Sequence, residues 1–176
     1  MFLFLASIVF VFGPSCGGKS TLSKALVQQL GPFWTYLDRD QLIEDGLCIE
    51  EKADQMIEES ILSFQSRDQH VVVDAQIPWR AQKKKDELYV LVYAPLPELL
   101  VRDSKRTVQL HRSPKRAHYA RLYVEKTFAE VFKAPARLGF YYDLVFDSSE
   151  YSIDTEIKEV LSLIAQYYKR EERHDY

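Results

Sequence analysis

The sequence predicts an α/β fold in which a mainly parallel sheet of five strands is covered by helices on both faces. Short apolar runs alternate with longer amphipathic segments along the whole chain. The runs are nearly all apolar, as expected for strands that are buried on both faces. No repeat, low-complexity stretch or linker interrupts this alternation, so we expect residues 1–176 to form a single three-layer domain.

The composition is ordinary for a globular protein. The 176 residues are 47% hydrophobic and 28% charged, and the formal net charge is −3. This charge argues against a generally basic nucleic-acid binder. Cys16 and Cys48 are too few for a metal site of their own or a disulfide framework, so we expect reduced thiols and a cytoplasmic location. No later apolar run is long enough for a membrane span.

The first predicted strand leads into a Gly-rich turn. Residues 2–12 are almost continuously apolar, and no Lys or Arg precedes them, which argues against a secretory segment. Residues 13–20 read Gly-Pro-Ser-Cys-Gly-Gly-Lys-Ser, the G-x-x-x-x-G-K-S pattern of a P-loop. Apolar residues at helical spacing follow, and Gly31-Pro32 ends that helix. Strand, loop and helix therefore occur in the order that a phosphate-binding loop requires.

This loop predicts a binding site for the phosphates of ATP. A Gly-rich turn lets backbone N–H groups point at phosphate oxygens, and the helix N-terminus that follows also favours an anion. We expect Lys19 to reach the β- and γ-phosphates and the Ser20 hydroxyl to bind Mg²⁺. GTP is less favoured, because the sequence has no Asn-Lys-x-Asp guanine motif. The expected nucleotide-binding residues are Gly13, Pro14, Ser15, Cys16, Gly17, Gly18, Lys19, Ser20 and Thr21.

The next elements follow in alternation. A second strand is expected at residues 33–37, and then a short helix with Asp40 as its N-cap, through Glu44. Further strands are expected at residues 70–74, 89–93 and 142–147. The core face of the helix before residue 70 is predicted to comprise Ile49, Ala53, Met56, Ile57, Ile61 and Phe64.

The later helices have clear start signals. Pro95 and Pro97 are expected to open a helix through Arg106, and a further helix is expected after Ser113-Pro114, ending at Phe132. The charged tail after the last helix is expected to fray. The core face of that last helix is predicted to comprise Ile153, Ile157, Val160, Leu161, Ile164 and Tyr168.

Several polar residues follow the predicted strands directly. Ligands of parallel sheets bind beyond the carboxyl ends of the strands. Asp38 and Asp40 follow the second strand, and one could cap the helix while the other orients an acceptor hydroxyl at the γ-phosphate. Asp74 ends a strand as a Walker B acid does, so we expect it to support Mg²⁺ together with Ser20. Gln76 could face a substrate.

A basic stretch in this acidic chain predicts a lid. Residues 102–121 contain seven Lys or Arg and a single acid. We expect a mobile lid at about residues 107–116, with Arg106 and Arg112 neutralising the γ-phosphate in the transition state.

Two other interpretations of this basic stretch stay open. Most of its charges could belong to a solvated face, which we favour for Lys115, Arg116 and Arg121. A surface for single-stranded nucleic acid is the other interpretation, because Tyr119 and Tyr123 lie nearby.

These residues together resemble the chloramphenicol phosphotransferase-like family of P-loop kinases over most of the chain. The resemblance implies the P-loop NTPase fold, ATP and Mg²⁺ as cofactors, a primary alcohol of an antibiotic as acceptor, and Asp40 as the base. The chain departs from the family at Asp38-Arg39, which is similar to the lead-in of polynucleotide 5′-hydroxyl kinases, at Ala75 and in its longer basic lid. The matching segments are Gly18-Lys19-Ser20, Asp40-Gln41-Leu42-Ile43-Glu44, Val71–Asp74, Arg102 with Arg106, and Tyr142–Ser149.

The sequence thus predicts an ATP-dependent kinase that phosphorylates a hydroxyl group of a small molecule. Two alternatives remain: a polynucleotide or nucleoside 5′-hydroxyl kinase, suggested by the charge of the lid, and a non-catalytic nucleotide-dependent switch. The expected catalytic residues are Lys19, Asp40, Arg106 and Arg112, and the expected metal-site residues are Ser20 and Asp74.

Overall fold

The computed structural model describes residues 8–47, 49–80 and 82–171. The start of the first apolar run, Cys48, the side chain of Tyr168 and the end of the charged tail lie outside this described part. The strands are β1 (Ile8–Phe12), β2 (Trp34–Asp38), β3 (His70–Ala75), β4 (Glu87–Tyr93) and β5 (Leu144–Asp147). The helices are α1 (Lys19–Leu30), α2 (Arg39–Glu44), α3 (Glu50–Gln65), α4 (Leu96–Gln109), α5 (Pro114–Leu138) and α6 (Ile153–Glu171).

Within the described residues, five strands lie parallel in one sheet, in the order β2-β3-β1-β4-β5. The prediction of a five-stranded parallel sheet is therefore confirmed. β1 occupies the centre, with β3 and β4 on either side. Because all strands run the same way, their carboxyl ends meet at one edge, where the register pairs Asp38 with Asp74.

Apolar side chains hold helices against both faces of the sheet. On one face, Val9 and Val11 of β1 belong to a cluster that includes Leu22 of α1 and Ile164 of α6. On the other face, Ile8, Phe10 and Phe12 belong to a cluster with residues of α3 and α5. β1 thus has apolar neighbours on both sides, which explains why its sequence is continuously apolar rather than alternating.

Helix α5 is longer than the sequence predicts. It continues past Phe132 to Leu138, although Pro135 lies inside it. Proline lacks the N–H that would bond to the carbonyl of Val131 four residues earlier. The Tyr142 hydroxyl donates to that carbonyl at 2.8 Å and takes the place of the missing donor. This partner comes from beyond the helix, so helical pattern alone did not reveal the extension.

The other predicted elements agree with the structure to within about three residues at their ends. One core prediction is wrong: Ile49 precedes α3 and is 60% exposed, because α3 begins at Glu50 and turns Ala53, Ile57 and Ile61 to the core. In the described part of the chain, no helix is both long enough and apolar enough to cross a membrane.

Candidate active site

The loop between β1 and α1 packs tightly against β4. A Cβ atom at Gly13 would lie 1.9 Å from the carbonyl oxygen of Val92, so no other residue fits there without a shift. Gly18 has a φ of 105° and Cys16 a φ of 65°, both in the left-handed region. The Ser15 N–H donates to the Thr127 hydroxyl of α5 at 3.2 Å. The loop is therefore held from two sides.

Lys19 and Ser20 open helix α1 directly behind this loop. Lys19 is only 7% exposed, and its Nζ donates to the Pro14 carbonyl at 3.1 Å. An ammonium group has three donors, so this bond leaves others for phosphate oxygens. The Ser20 hydroxyl donates to Oδ2 of Asp74 at 2.5 Å. The two residues predicted to support Mg²⁺ are therefore in direct contact.

A tyrosine hydroxyl links the acids at the ends of β2 and β3. Tyr36 donates to Oδ2 of Asp38 at 2.8 Å, and its hydroxyl oxygen lies 3.2 Å from Oδ2 of Asp74. Burial raises the pKa of Asp74, whereas the nearby Lys19 ammonium opposes this rise. Burial also raises the pKa of Tyr36, and the charge of Asp74 adds to the rise. The tyrosine therefore keeps its proton and acts as a donor between the two acids.

The oxygen atoms around Ser20 form a donor set that fits Mg²⁺. This ion prefers oxygen ligands and is usually bound by one or two carboxylates together with substrate phosphates. Ser20 and Asp74 supply a hydroxyl and a carboxylate next to the phosphate-binding loop. Among the described residues, no group of three or more His, Cys, Asp or Glu could hold a metal ion by itself. Ser20 and Asp74 thus suit an Mg²⁺ ion whose remaining ligands come from nucleotide phosphates and water.

The N-cap of α2 is Asp38, and the prediction that Asp40 caps this helix is wrong. Oδ1 of Asp38 accepts hydrogen bonds from the backbone N–H of Asp40 at 3.0 Å and of Gln41 at 3.2 Å. The helix begins at Arg39, and the backbone N–H groups of its first turn have no partner within the helix. The side chain of Asp38, the residue just before the helix, accepts from two of them. Capping by Asp38 leaves the carboxylate of Asp40 available for another role.

Asp40 is anchored beside the P-loop by Gln76. The amide Nε2 of Gln76 donates to Oδ2 of Asp40 at 2.5 Å. The backbone carbonyl of Gln76 accepts from the Gly13 N–H at 3.3 Å. Gln76 is buried, whereas the Asp40 side chain is 45% exposed. The carboxylate is therefore fixed next to the loop and still accessible to a ligand.

Two arginines on this side of the site are paired with acids. Nε of Arg39 lies 2.7 Å from Oδ1 of Asp54 on α3. Arg80, which follows β3, is paired with Glu58 of α3 and with the buried Glu87 of β4. Both guanidinium groups therefore have carboxylate partners within the protein.

Tyr123 of α5 borders the same region. Burial raises the pKa of its hydroxyl, and the carboxylates of Asp40 and Glu50 add to the rise, whereas Arg39 and Gln76 oppose it. The hydroxyl thus lies near side chains from α2, α3 and the end of β3. The sequence associates Tyr123 only with a possible nucleic-acid surface, because the place of this residue in the site depends on how α5 crosses the sheet.

Arg102 of α4 contacts the P-loop. Its Nη1 donates to the Ser148 hydroxyl at 2.8 Å and to the Cys16 carbonyl at 3.4 Å. The Ser148 hydroxyl in turn donates to the Gly17 carbonyl at 2.9 Å. From the sequence, Arg102 is distinguished only as part of the basic stretch and, with Arg106, of the family resemblance. The position of Ser148 directly after a strand is the signal that could have indicated this contact.

The two predicted lid arginines have different surroundings. Arg112 lies in the turn between α4 and α5, where its Nη1 donates to Oδ1 of the buried Asp103 at 2.8 Å. Arg106 is exposed on α4, and the described residues give its side chain no hydrogen-bond or ion-pair partner. Neither side chain has a bond to the P-loop in the described part of the chain, so their action on a phosphate stays a prediction.

Comparison with solved structures identifies the fold. A gluconokinase from Sinorhizobium meliloti superposes with a TM-score of 0.60 at 20% identity, covering 99% of this chain and 100% of that one. Shikimate kinase from Acinetobacter baumannii, in complex with shikimate, gives a TM-score of 0.59 at 15% identity, covering 93% and 95%. The fold is that of P-loop kinases.

A chain of the Pnkp1/Rnl/Hen1 RNA repair complex shares the fold as well. It superposes with a TM-score of 0.55 at 19% identity, covering 77% of this chain and 47% of that one. No protein-family model and no curated protein sequence matches the chain. The predicted P-loop NTPase fold is thus confirmed, and the narrower likeness to chloramphenicol phosphotransferases stays a prediction.

Proposed function

We propose that this protein is an ATP-dependent kinase that transfers the γ-phosphate to a hydroxyl group of a small molecule. The observation that carries the proposal is the convergence of three groups at one edge of the sheet. These are Lys19-Ser20 behind the P-loop, Asp74 in contact with Ser20, and Asp40 tied to the loop through Gln76. Phosphoryl transfer depends mainly on positioning and charge neutralisation, and these groups are suited to both.

Each group has a defined part in the proposed reaction. The loop N–H groups and the Lys19 ammonium bind the β- and γ-phosphates, and Ser20 and Asp74 hold Mg²⁺. When bound, Mg²⁺ neutralises charge on the phosphate oxygens. The oxygen of the acceptor hydroxyl bonds to the γ-phosphorus, and Asp40 accepts the proton that this hydroxyl loses. The bond from that phosphorus to the β–γ bridging oxygen breaks, and ADP leaves.

Two experiments test this proposal. Calorimetry should detect binding of MgATP to the folded protein, and the absence of binding would exclude any ATP-dependent activity. A screen of metabolites and antibiotics with labelled ATP should then yield a phosphorylated alcohol. ATP hydrolysis with no labelled product across the screen would instead favour the nucleotide-dependent switch.

Replacing the proposed base gives the first specific prediction. Asp40→Asn should lower kcat about 100-fold or more, because the amide cannot accept the acceptor's proton. The Kd for MgATP should change little, since Asp40 has no bond to the loop of its own. Asp45→Asn is the matched control, because Asp45 is an exposed acid just after the same helix. Full activity of Asp40→Asn on the true acceptor would contradict the assignment.

The narrower assignment to the chloramphenicol phosphotransferase-like group is part of this proposal. It is supported by the segment Asp40–Glu44, which provides both the proposed base and helix α2. Phosphorylation of a primary alcohol in the antibiotic screen would support it. Products formed only from other kinds of hydroxyl would contradict it.

A polynucleotide 5′-hydroxyl kinase is the second candidate function. It is favoured by the exposed basic residues around the turn between α4 and α5 and by the fold shared with the RNA repair chain. Such an enzyme should bind oligonucleotides with an affinity that falls steeply as salt is added. Oligonucleotide binding that is absent or insensitive to salt would exclude it.

A further inference from the structure

The carboxyl ends of β4 and β5 border the P-loop on the side opposite the proposed base. A Cβ atom on Gly17 would lie 2.9 Å from the Val92 carbonyl oxygen of β4, so the loop packs against this part of the sheet. Ser148 directly follows β5, and its backbone N–H donates to the Tyr93 carbonyl at the end of β4, at 2.7 Å. The sheet thus fixes the main chain of Ser148 beside the loop.

Arg102 decides the direction in which the Ser148 hydroxyl donates. Nη1 of Arg102 donates to the hydroxyl oxygen at 2.8 Å, and a guanidinium group cannot accept a hydrogen bond in return. The single hydroxyl hydrogen is therefore left for the Gly17 carbonyl, whose oxygen lies 2.9 Å from the hydroxyl oxygen. Arg102 is also held within its own helix, because its Nε lies 3.2 Å from Oε1 of Glu98.

The bond to the Gly17 carbonyl fixes one peptide plane of the loop. In a trans peptide, a carbonyl and the N–H of the next residue point in opposite directions. The described residues contain no cis peptide bond, so a Gly17 carbonyl that faces Ser148 turns the Gly18 N–H away from Ser148. None of the loop's backbone hydrogen bonds among the described residues uses this N–H. It therefore remains available to a phosphate oxygen, directly before Lys19 and Ser20.

This peptide needs a contact from outside the loop to keep its direction. It joins two glycines, which permit more backbone conformations than other residues do. If the peptide rotated, the Gly17 carbonyl oxygen would replace the Gly18 N–H opposite the phosphates, and its partial negative charge would repel them. The hydrogen bond from Ser148 to this carbonyl opposes the rotation.

We propose that Ser148 is a positioning residue for phosphate binding, which holds the Gly17 carbonyl so that the Gly18 N–H faces the nucleotide phosphates. Arg102 acts through Ser148 by orienting its hydroxyl. This inference rests on the proposed function, because it concerns the nucleotide site of that kinase. It makes the shape of the P-loop depend on a side chain 131 positions further along the chain.

Binding of two ligands to variants of the full chain tests this role. Calorimetry measures the Kd of MgATP and of magnesium tripolyphosphate, which has the phosphates but neither base nor ribose. Ser148→Ala should weaken the binding of both about tenfold, because one hydrogen bond to a charged phosphate oxygen is misdirected. Ser148→Thr retains the hydroxyl, so it should bind both ligands within about twofold of the wild type.

Ser149→Ala is the matched control. It removes a hydroxyl from the same turn, but this residue is exposed and its hydroxyl donates to Oδ1 of Asp147 at 2.6 Å instead of to the loop. It should change neither Kd by more than about twofold. Thermal unfolding without ligand checks the fold. Ser148→Ala should lower Tm by no more than about 4 °C, the effect of one hydrogen bond, and a much larger fall would assign Ser148 to the stability of the fold instead.

Three binding results would overturn the inference. Unchanged binding by Ser148→Ala would show that the loop keeps its shape without this bond. Weaker binding of MgATP but not of tripolyphosphate would mean that Ser148 contacts the base or the ribose. Equal losses in Ser148→Ala and Ser148→Thr would show that the hydroxyl does not carry the effect.

A double-mutant cycle tests the part of Arg102. Arg102→Met and Ser148→Ala should each weaken the binding of tripolyphosphate. Together they should weaken it by less than the product of the two single effects, because both act on one hydroxyl. A loss equal to the full product would mean that Arg102 acts on the phosphates independently, which would overturn its role through Ser148.

Turnover separates this inference from the proposed function. Weaker binding by Ser148→Ala, in a protein that transfers phosphate to no compound of the acceptor screen, would support the positioning role and count against the kinase. Transfer of phosphate to an alcohol, with equal Kd values for the wild type and Ser148→Ala, would support the kinase and overturn the positioning role. A wild type that binds neither ligand would overturn both.

Discussion

At the scale of single residues, Gln76 connects the P-loop to the proposed base. Its backbone carbonyl bonds to Gly13, and its side-chain amide bonds to Asp40. An amide N–H can donate to a carboxylate but cannot take the proton that the carboxylate must accept. Gln76 can therefore hold Asp40 in position without competing with it for the acceptor's proton.

We expect Gln76→Leu to lower kcat about tenfold, because a misplaced base loses part of its effect on proton transfer. The KM for ATP should stay within about twofold, since the backbone bond to Gly13 is retained. Steady-state kinetics with varied ATP measures both. Gln55→Leu, at an exposed glutamine of α3, is the control. A rise in the KM for ATP as large as the fall in kcat would mean that Gln76 supports the loop instead.

The sequence identifies some site residues one at a time and misses others that depend on tertiary contacts. Lys19 and Ser20 belong to a motif, and Asp74 ends an apolar run, so each is recognisable without a fold. The sequence predicts the wrong acid as the cap of α2, because local sequence locates a helix start only to within about two residues. The bond between Arg102 and Ser148 joins residues 46 positions apart, and the only hint of it in the sequence is that Ser148 directly follows a strand.

At the scale of elements, the pair α4 and α5 carries both predicted lid arginines in different settings. Arg112 is bonded to Asp103, which is buried, whereas Arg106 is exposed. Removing the partner of a buried carboxylate leaves an uncompensated charge, whereas truncating an exposed side chain changes little. We therefore expect substitution of Arg112 to lower the stability of the fold and substitution of Arg106 to leave the stability nearly unchanged.

Arg112→Ala should lower the free energy of unfolding by about 3 kcal/mol, because Asp103 loses its partner. Arg106→Ala should change it by less than about 0.5 kcal/mol and should lower kcat if Arg106 reaches the γ-phosphate. Urea unfolding and steady-state kinetics measure the two effects. In a protein that carries Asp103→Asn, the further change Arg112→Ala should cost much less stability, because the neutral amide does not need a cationic partner. Equal destabilisation by both alanine variants would contradict this assignment.

Helix α6 contains a buried acid that should make stability depend on pH. Glu156 is 3% exposed, and burial raises its pKa to about 7, although Arg102 opposes the rise. Between the ordinary pKa of a glutamate and about pH 7, Glu156 therefore keeps its proton in the folded protein and loses it in the unfolded chain. Stability contributed by the protonated group is complete below that lower pKa and is lost as the pH rises through about 7.

Glu156→Gln should therefore raise the free energy of unfolding at about pH 8 by about 1 kcal/mol or more, because the neutral amide avoids the cost of charging a buried carboxylate. The gain should vanish as the pH falls toward the ordinary pKa of a glutamate, where the wild-type side chain is neutral in both states. Urea unfolding over this pH range measures it. Glu159→Gln, at an exposed position of the same helix, is the control. An increase in the free energy of unfolding that does not change with pH would contradict the raised pKa of Glu156.

The element pattern was largely predictable, because apolar runs and amphipathic stretches have different periods. The end of α5 was not, since the helix passes Pro135 only with a hydroxyl from Tyr142 as substitute donor. That donor lies beyond the helix, so no rule based on the helix alone can include it.

At the scale of the whole molecule, the parallel sheet assembles the site from distant parts of the chain. The ends of β1, β2 and β3 bring the P-loop, Asp38 with Asp40, and Asp74 with Gln76 to one edge. The sequence predicts that strand ends meet but not the order β2-β3-β1-β4-β5, because that order depends on which way each connection crosses the sheet. The order decides that Asp38 and Asp74 become neighbours.

Because the site joins several elements, its ligand should stabilise the whole fold. MgATP at about one hundred times its Kd should raise the free energy of unfolding by about 2.7 kcal/mol, since it binds the folded state only. For a domain of this size, that corresponds to a rise in Tm of about 5–10 °C. Thermal unfolding with and without MgATP measures it. Lys19→Ala should abolish the rise, whereas Lys24→Ala, at an exposed lysine of the same helix, should retain it. A rise that survives in Lys19→Ala would mean that the nucleotide binds elsewhere, and the assignment of the P-loop as its site would be wrong.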